Sequence, residues 1–165
     1  MTRATSESER VARNYLRVWN ERAYSEIPDV VAESFVMYDP FAPADQVPGP
    51  KGQVYGPDGL EAFIRGVVAG FPDFHVEVLT MLSEAEVVMY DGRITMTHEG
   101  SFFGIPPTGE RAVFRYMGMV TVSDGVVSAH RVYPPLREVV DQLRLPFPAI
   151  VAYAPRFVWG LLKFI

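Results

Sequence analysis

Apolar positions recur along the chain at two spacings, one helical and one alternating, and the change from the first to the second marks out its elements. Val11, Tyr15, Val18 and Trp19 share a helical face behind Ser6-x-x-Glu9, a capping box whose Glu7 and Glu9 suit the positive end of a helix. A second, short helix is expected from Pro28 to about Glu33, then a strand from Ser34 to Tyr38 that Asp39-Pro40 stops. Residues 41–56 turn to Pro, Gly, Asp and Gln, the composition of a long connecting loop. Leu60, Phe63, Ile64, Val67, Val68 and Phe71 then form the clearest helical stripe, with Pro57 near its start and Gly70 near its end.

From residue 74 onward the pattern is that of strands, expected over 74–82, 86–98, 112–122 and 126–133. Asp124-Gly125 is the strongest hairpin signal in the chain. Residues 112–122 carry only Arg115 as an interior charge, which predicts a central strand covered on at least one face. Leu136, Val139, Val140 and Leu143 give a last short helix after Pro134-Pro135. Helices first and then a meander predict an α+β fold. In it a curved antiparallel sheet is wrapped by N-terminal helices into a barrel-like cone with an internal apolar pocket.

One domain is expected over residues 1–145, followed by an apolar extension over 146–165. Pro146, Pro148 and Pro155 interrupt that extension, so neither unbroken piece reaches the roughly 20 residues that span a bilayer. Packing on the domain, at the pocket mouth or in a dimer interface is the favoured reading, and a membrane-skimming helix the less favoured one.

Composition narrows the function. Fifteen basic against twenty acidic side chains, with no basic stripe, argue against nucleic acid as a partner. The absence of cysteine removes disulfides, thiolate metal sites and cysteine nucleophiles, and fits a reducing cytoplasm. The N-terminal residues lack the apolar core of a signal peptide, so a cytoplasmic location is expected. His75, His98 and His130 have no short ligand spacing, so no metal site is expected. Aromatic residues make up 13% of the chain, more than a small core needs, which points to a pocket for a small organic molecule.

Gly56-Pro-Asp-Gly-Leu-Glu-Ala-Phe63, Phe71-Pro-Asp-Phe-His75, Thr97-His-Glu-Gly-Ser-Phe-Phe-Gly-Ile-Pro-Pro-Thr-Gly109, Asp124-Gly-Val-Val127 and Asp141-Gln-Leu143, taken in this order, resemble the SnoaL-like polyketide cyclases. These belong to the nuclear-transport-factor-2-like, or cystatin-like cone, superfamily. The resemblance implies a cofactor-independent ring closure on a polyketide-like substrate in natural-product biosynthesis, and a homodimer. It also carries a departure: the acid that aldol-type members place before the Gln-Leu pair falls on Pro135, which cannot transfer a proton. A non-aldol closure is therefore expected, such as an oxa-Michael addition, an epoxide opening or a cycloaddition. The alternatives are an isomerase or epoxide hydrolase acting on a steroid-like or terpenoid substrate, and a noncatalytic binding or dimerisation module.

Asp39 is the best remaining acid. Its strand-end position before Pro40 resembles that of the base in ketosteroid isomerases, another branch of the superfamily, and Tyr15 then matches their oxyanion donor. A carboxyl in an apolar cone would have a raised pKa suited to proton transfer. The competing reading makes Asp39 a loop cap and Tyr15 ordinary core. His130, on the last strand, supports them if its side chain points inward, as a group that titrates near neutrality. Trp19, Phe41, Tyr55 and Phe63, together with Tyr90, Tyr116 and Tyr133, are the expected substrate-contacting residues, with core packing the alternative for each.

Overall fold

The computed structural model describes residues 6–145, so the expectation for the 146–165 extension lies outside the described residues. Helix α1 (Glu7–Glu21) begins as the capping box predicts, with the Ser6 hydroxyl accepting the Glu9 N–H at 3.1 Å. The Glu9 carboxylate accepts the Ser83 hydroxyl at 3.0 Å, which pins the start of the helix to the sheet. Its other end is closed by Arg22, in the left-handed region at φ 56°. The Arg22 guanidinium donates to the carbonyls of Trp19, Asn20, Pro72 and Phe74, so one side chain ties the helix end to a distant turn.

A 3₁₀ turn (Tyr24–Glu26) and a single helical turn, α2 (Ile27–Val30), lead directly into β1 (Val31–Tyr38). The strand starts three residues before the expected Ser34, and the helix expected to reach Glu33 ends at Val30. Val31, β-branched and buried, pairs with Val127 of a neighbouring strand, and this long-range pairing overrides the local helical tendency of the segment. The expected loop 41–56 holds a short strand that its composition hides, β2 (Gln53–Tyr55), which runs antiparallel to β1. Helix α3 (Gly56–Gly70) follows and packs on β1 and β2.

The expected meander is present as β3 (His75–Glu84), β4 (Val87–Thr97), β5 (Arg111–Ser123) and β6 (Val126–Tyr133). Asp124 and Gly125 both take positive φ, 51° and 78°, as the tight hairpin between β5 and β6 requires. The six strands lie in the order β2-β1-β6-β5-β4-β3, antiparallel except where β1 runs parallel to β6. The fold is thus α+β with a curved, unclosed sheet. Alternation along β5 turns Ala112, Phe114, Tyr116, Gly118, Val120 and Val122 to the buried face. Helix α1 lies along β3 and reaches across β4, β5 and β6.

Helix α4 (Leu136–Gln142) closes the remaining side. Its Gln142 amide accepts the Val113 N–H at 2.7 Å and donates to the Val113 carbonyl at 3.0 Å, doing for β5 what a neighbouring strand would do. Among the described residues no helix is long and apolar enough to cross a membrane.

Candidate active site

The concave face, α1, α3 and α4 enclose a cavity of about 340 Å³, within the range of small-molecule sites, roughly 300–1,000 Å³. Its walls are largely apolar. The side chains on it that carry polar atoms are Asp39, Lys51, Tyr116, His130, Trp19 and His98.

Asp39 stands where β1 ends. Its N–H donates to the Gly52 carbonyl at 3.1 Å, its carbonyl accepts the Ala42 N–H at 3.0 Å, and its Oδ1 accepts the Phe41 N–H at 2.8 Å. These bonds hold the carboxyl in a turn that Pro40 continues, as a loop cap would. The same turn places the residue in the cavity wall. Among the described residues no cation forms an ion pair with it. Burial pushes its pKa up to about 6, against the pull of the Phe41 N–H.

Opposite the end of β1, four side chains from three strands and a helix form a hydrogen-bonded chain. Tyr116 donates to the Tyr90 hydroxyl at 3.1 Å, Tyr90 meets Nε2 of His130 at 2.7 Å, and Nδ1 of His130 meets the Tyr15 hydroxyl at 2.9 Å. Two glycines make room for it. Tyr90 pairs across strands with Gly118, and Tyr116 with Gly92. A Cβ on Gly118 would fall 2.2 Å from Tyr90 Cζ, and one on Gly92 would fall 2.6 Å from Tyr116 Cε1. Each phenol therefore lies over a backbone with no side chain. Burial lowers the His130 pKa to about 3, so the imidazole is neutral and offers one N–H and one lone pair to its two phenols. Burial also raises all three phenols, and the Asp39 charge adds to this at each.

The candidate residues therefore separate by depth. Asp39, His130, Trp19, Phe41, Phe63 and Tyr116 line the cavity. Tyr15, expected as the oxyanion donor, and Tyr90, expected to contact substrate, are buried outside its wall and hydrogen-bond to His130, whereas Tyr116, also expected to contact substrate, lies in the wall. Tyr55 and Tyr133, expected to contact substrate, stand outside it, 44% and 60% exposed. Tyr133 follows the wall residue Val132 on β6, and alternation turns it outward; Tyr55 precedes α3 and bonds the Gln53 side chain at 2.9 Å.

Phe71, Phe74, Phe102 and Phe103, which the sequence does not mark as substrate contacts, also lie in the wall. Phe102 and Phe103 fold onto α3, where a Cβ on Gly70 would fall 2.7 Å from Phe102 and one on Gly66 would fall 2.3 Å from Phe103. His98 anchors the loop that carries Phe102 and Phe103: its N–H donates to Glu110 at 2.9 Å and its carbonyl accepts the Gly109 N–H at 2.9 Å. Pro134 and Leu136 line the cavity on either side of Pro135, so the position where the resemblance expects an acid lies at the cavity edge and carries a proline.

The described residues thus form an α+β cone whose apolar cavity carries a buried carboxyl and a phenol on its wall, a candidate small-molecule site. The chain belongs to the SnoaL-like polyketide cyclase family, whose model matches residues 9–143. Its fold is shared by a Jannaschia sp. CCS1 protein provisionally assigned as a SnoaL-like polyketide cyclase, with TM-score 0.72 at 19% identity over 88% of this chain and 99% of that one. IdmH of Streptomyces antibioticus, provisionally assigned as a polyketide cyclase, gives 0.69 at 20% identity over 85% and 100%. An epoxide hydrolase of M. tuberculosis, of the LEH-like type, gives 0.62 at 15% over 90% and 97%. No curated protein matches in sequence. Among the described residues no cluster of three potential metal ligands occurs.

Proposed function

We propose that the protein closes a ring on a polyketide-like substrate without a cofactor, with Asp39 as the general base. The observation that carries this is the Asp39 carboxyl, set in the wall of an apolar cavity with no ion-pair partner among the described residues and a pKa pushed by burial to about 6. A base poised near neutrality is ionised often enough to take a proton and is basic enough to hold it. Asp39 removes the proton from a hydroxyl or an acidic carbon of the folded chain, the new bond forms, and the proton returns to the product. Tyr116, a residue of the same cavity wall, turns its hydroxyl proton from Tyr90 to the oxygen at which charge develops, while neutral His130 holds Tyr90 beside it. Tyr15 is a positioning residue in this reading.

With one acid among the described residues of the cavity, much of the rate comes from folding the substrate into a reactive conformer against the aromatic walls. Because Pro135 occupies the place of the aldol acid, the closure follows a non-aldol route. A cavity of this volume, not filled by the protein's own side chains, favours this reading over a noncatalytic module. A homodimer is part of the same proposal, supported by Leu82, Met89 and Met117 exposed on the sheet.

The test is turnover of acyclic precursors from the neighbouring biosynthetic genes, followed by mass spectrometry for wild type and Asp39→Asn. Loss of a general base predicts a rate lower by about 10²–10⁴-fold. An Asp39→Asn variant that cyclises at the wild-type rate would remove Asp39 from the chemistry.

A further inference from the structure

Among the described residues of the cavity wall, Pro40, Lys51 and Leu136 are also exposed to solvent, so the mouth lies between the β1–β2 connection and the start of α4. Lys51 is the one lysine or arginine among them and among the rest of the described wall. The two histidines of the wall, His98 and His130, are kept neutral by burial.

The chain holds Lys51 in place from both sides. Gly52, the next residue, accepts the Asp39 N–H at 3.1 Å and donates to the Ala42 carbonyl at 3.0 Å, and the Gln53 N–H bonds back over Lys51 to the Pro50 carbonyl at 2.9 Å. Gly49, at φ +130°, permits this tight return: a Cβ there would fall 2.5 Å from the Gln53 carbonyl oxygen. The bonds that fix Asp39 therefore also fix the backbone that carries Lys51.

The two side chains nevertheless do not pair. Among the described residues the Lys51 ammonium has neither an ion-pair nor a hydrogen-bond partner, Asp45 of the same loop included. Burial and the Phe41 N–H set the Asp39 pKa, with no share from the Lys51 charge. The acids of α4 are engaged elsewhere, Glu138 accepting the Gln142 amide at 2.9 Å and Asp141 pairing with Arg137 at 3.6 Å. Residues 1–5 and 146–165 contain no Asp or Glu that could serve instead.

An ammonium at the edge of an apolar cavity sorts ligands by where they carry charge. A ligand anion deep in the cavity would lose its water without gaining a partner, and beside Asp39 it would meet a like charge. At the mouth it keeps part of its water and gains the ammonium. One ammonium, with no second cation in the described wall, matches a single negative charge rather than a phosphate.

We propose that Lys51 is a specificity-determining residue at the cavity mouth, where its ammonium pairs with a carboxylate carried by the substrate while the apolar part of that substrate fills the cavity. The proposal rests on the reading of the cavity as a substrate site. It adds which substrates that site selects: free carboxylic acids, over neutral amides or esters of the same shape.

The probes are octanoate and octanamide, which share one apolar chain and differ in charge. Calorimetric titration of the intact protein at neutral pH and low salt is expected to show octanoate binding about three- to fivefold more tightly, the size of a partly exposed ion pair. Added sodium chloride should shrink the preference. The net charge of −5 works against octanoate, so a preference for it reports a local cation. Lys51→Met should abolish the preference, Lys51→Glu should reverse it and Lys51→Arg should keep it. Because Lys51 is exposed, octanamide should bind all three variants within about twofold of wild type, which shows that the cavity is intact. Equal affinities in the wild type, a preference that survives Lys51→Met, or binding of neither probe would each overturn the proposal. Neither probe can close a ring, so an inert Asp39 would abolish the proposed catalysis and leave this preference standing, and a missing preference would leave turnover through Asp39 untouched.

Discussion

Replacing Gly118 with alanine tests the scaffold of the phenol–imidazole chain. The new methyl would fall 2.2 Å from Cζ and 2.4 Å from the hydroxyl oxygen of Tyr90, a fully buried ring that pairs directly across from Gly118 on β4. The ring must move, and with it the bonds of 2.7 Å to His130 and 3.1 Å to Tyr116. Overpacking a core costs about 1–3 kcal/mol. Leaving a buried donor or acceptor unpaired adds about 1–3 kcal/mol more. Gly118→Ala should therefore lose about 2–6 kcal/mol in urea denaturation. The same substitution made on Tyr90→Leu, where the hydroxyl and much of the bulk are gone, should cost under about 1 kcal/mol, so the two changes couple strongly. A loss below about 1 kcal/mol in the wild-type background, or an equal loss in both backgrounds, would refute the placement of Tyr90 over Gly118.

Asp39 and His130 predict opposite pH effects on stability. The folded-state pKa of Asp39 is raised to about 6 from 3.8, so the folded state holds a proton that the unfolded state has lost, and stability falls as pH rises through that window. Asp39→Asn should thus gain up to about 3 kcal/mol at pH 7.5 and almost nothing below pH 4, measured by denaturant titration at each pH. His130 is lowered to about 3 from 6.5, so only the unfolded state gains its proton as pH falls through that range. Its contribution to stability is complete above the unfolded value and drains away toward pH 3, a slope that His130→Gln should lack in the same titrations. Arg22→Ala removes donors from four carbonyls and should cost about 2–3 kcal/mol by thermal or urea unfolding, with Arg22→Lys recovering only part.

The features that the sequence reveals are those governed by neighbours along the chain. The Ser6 cap, the α3 stripe, the β3–β6 meander and the Asp124-Gly125 turn all come from spacing and turn chemistry, and all are present. β2 and the first residues of β1 were hidden because long-range pairing, not local composition, makes them strands. The site follows the same division. Asp39 was legible as an acid at a strand end before proline, whereas the identity of the phenol facing the cavity depends on strand register and on which residue His130 meets 115 positions away. Phe102 and Phe103 lie in a loop with no period to read, and their role depends on two bare positions of a helix more than thirty residues earlier.

The central claim is that the Asp39 carboxyl belongs to the cavity and not to bulk water. Carbon-detected NMR titration of the aspartate carboxyls, with Asp39 identified by the signal lost in Asp39→Asn, measures this directly. A midpoint close to 6 is the result predicted by its burial, and a midpoint near the ordinary value of 3.8 would contradict it.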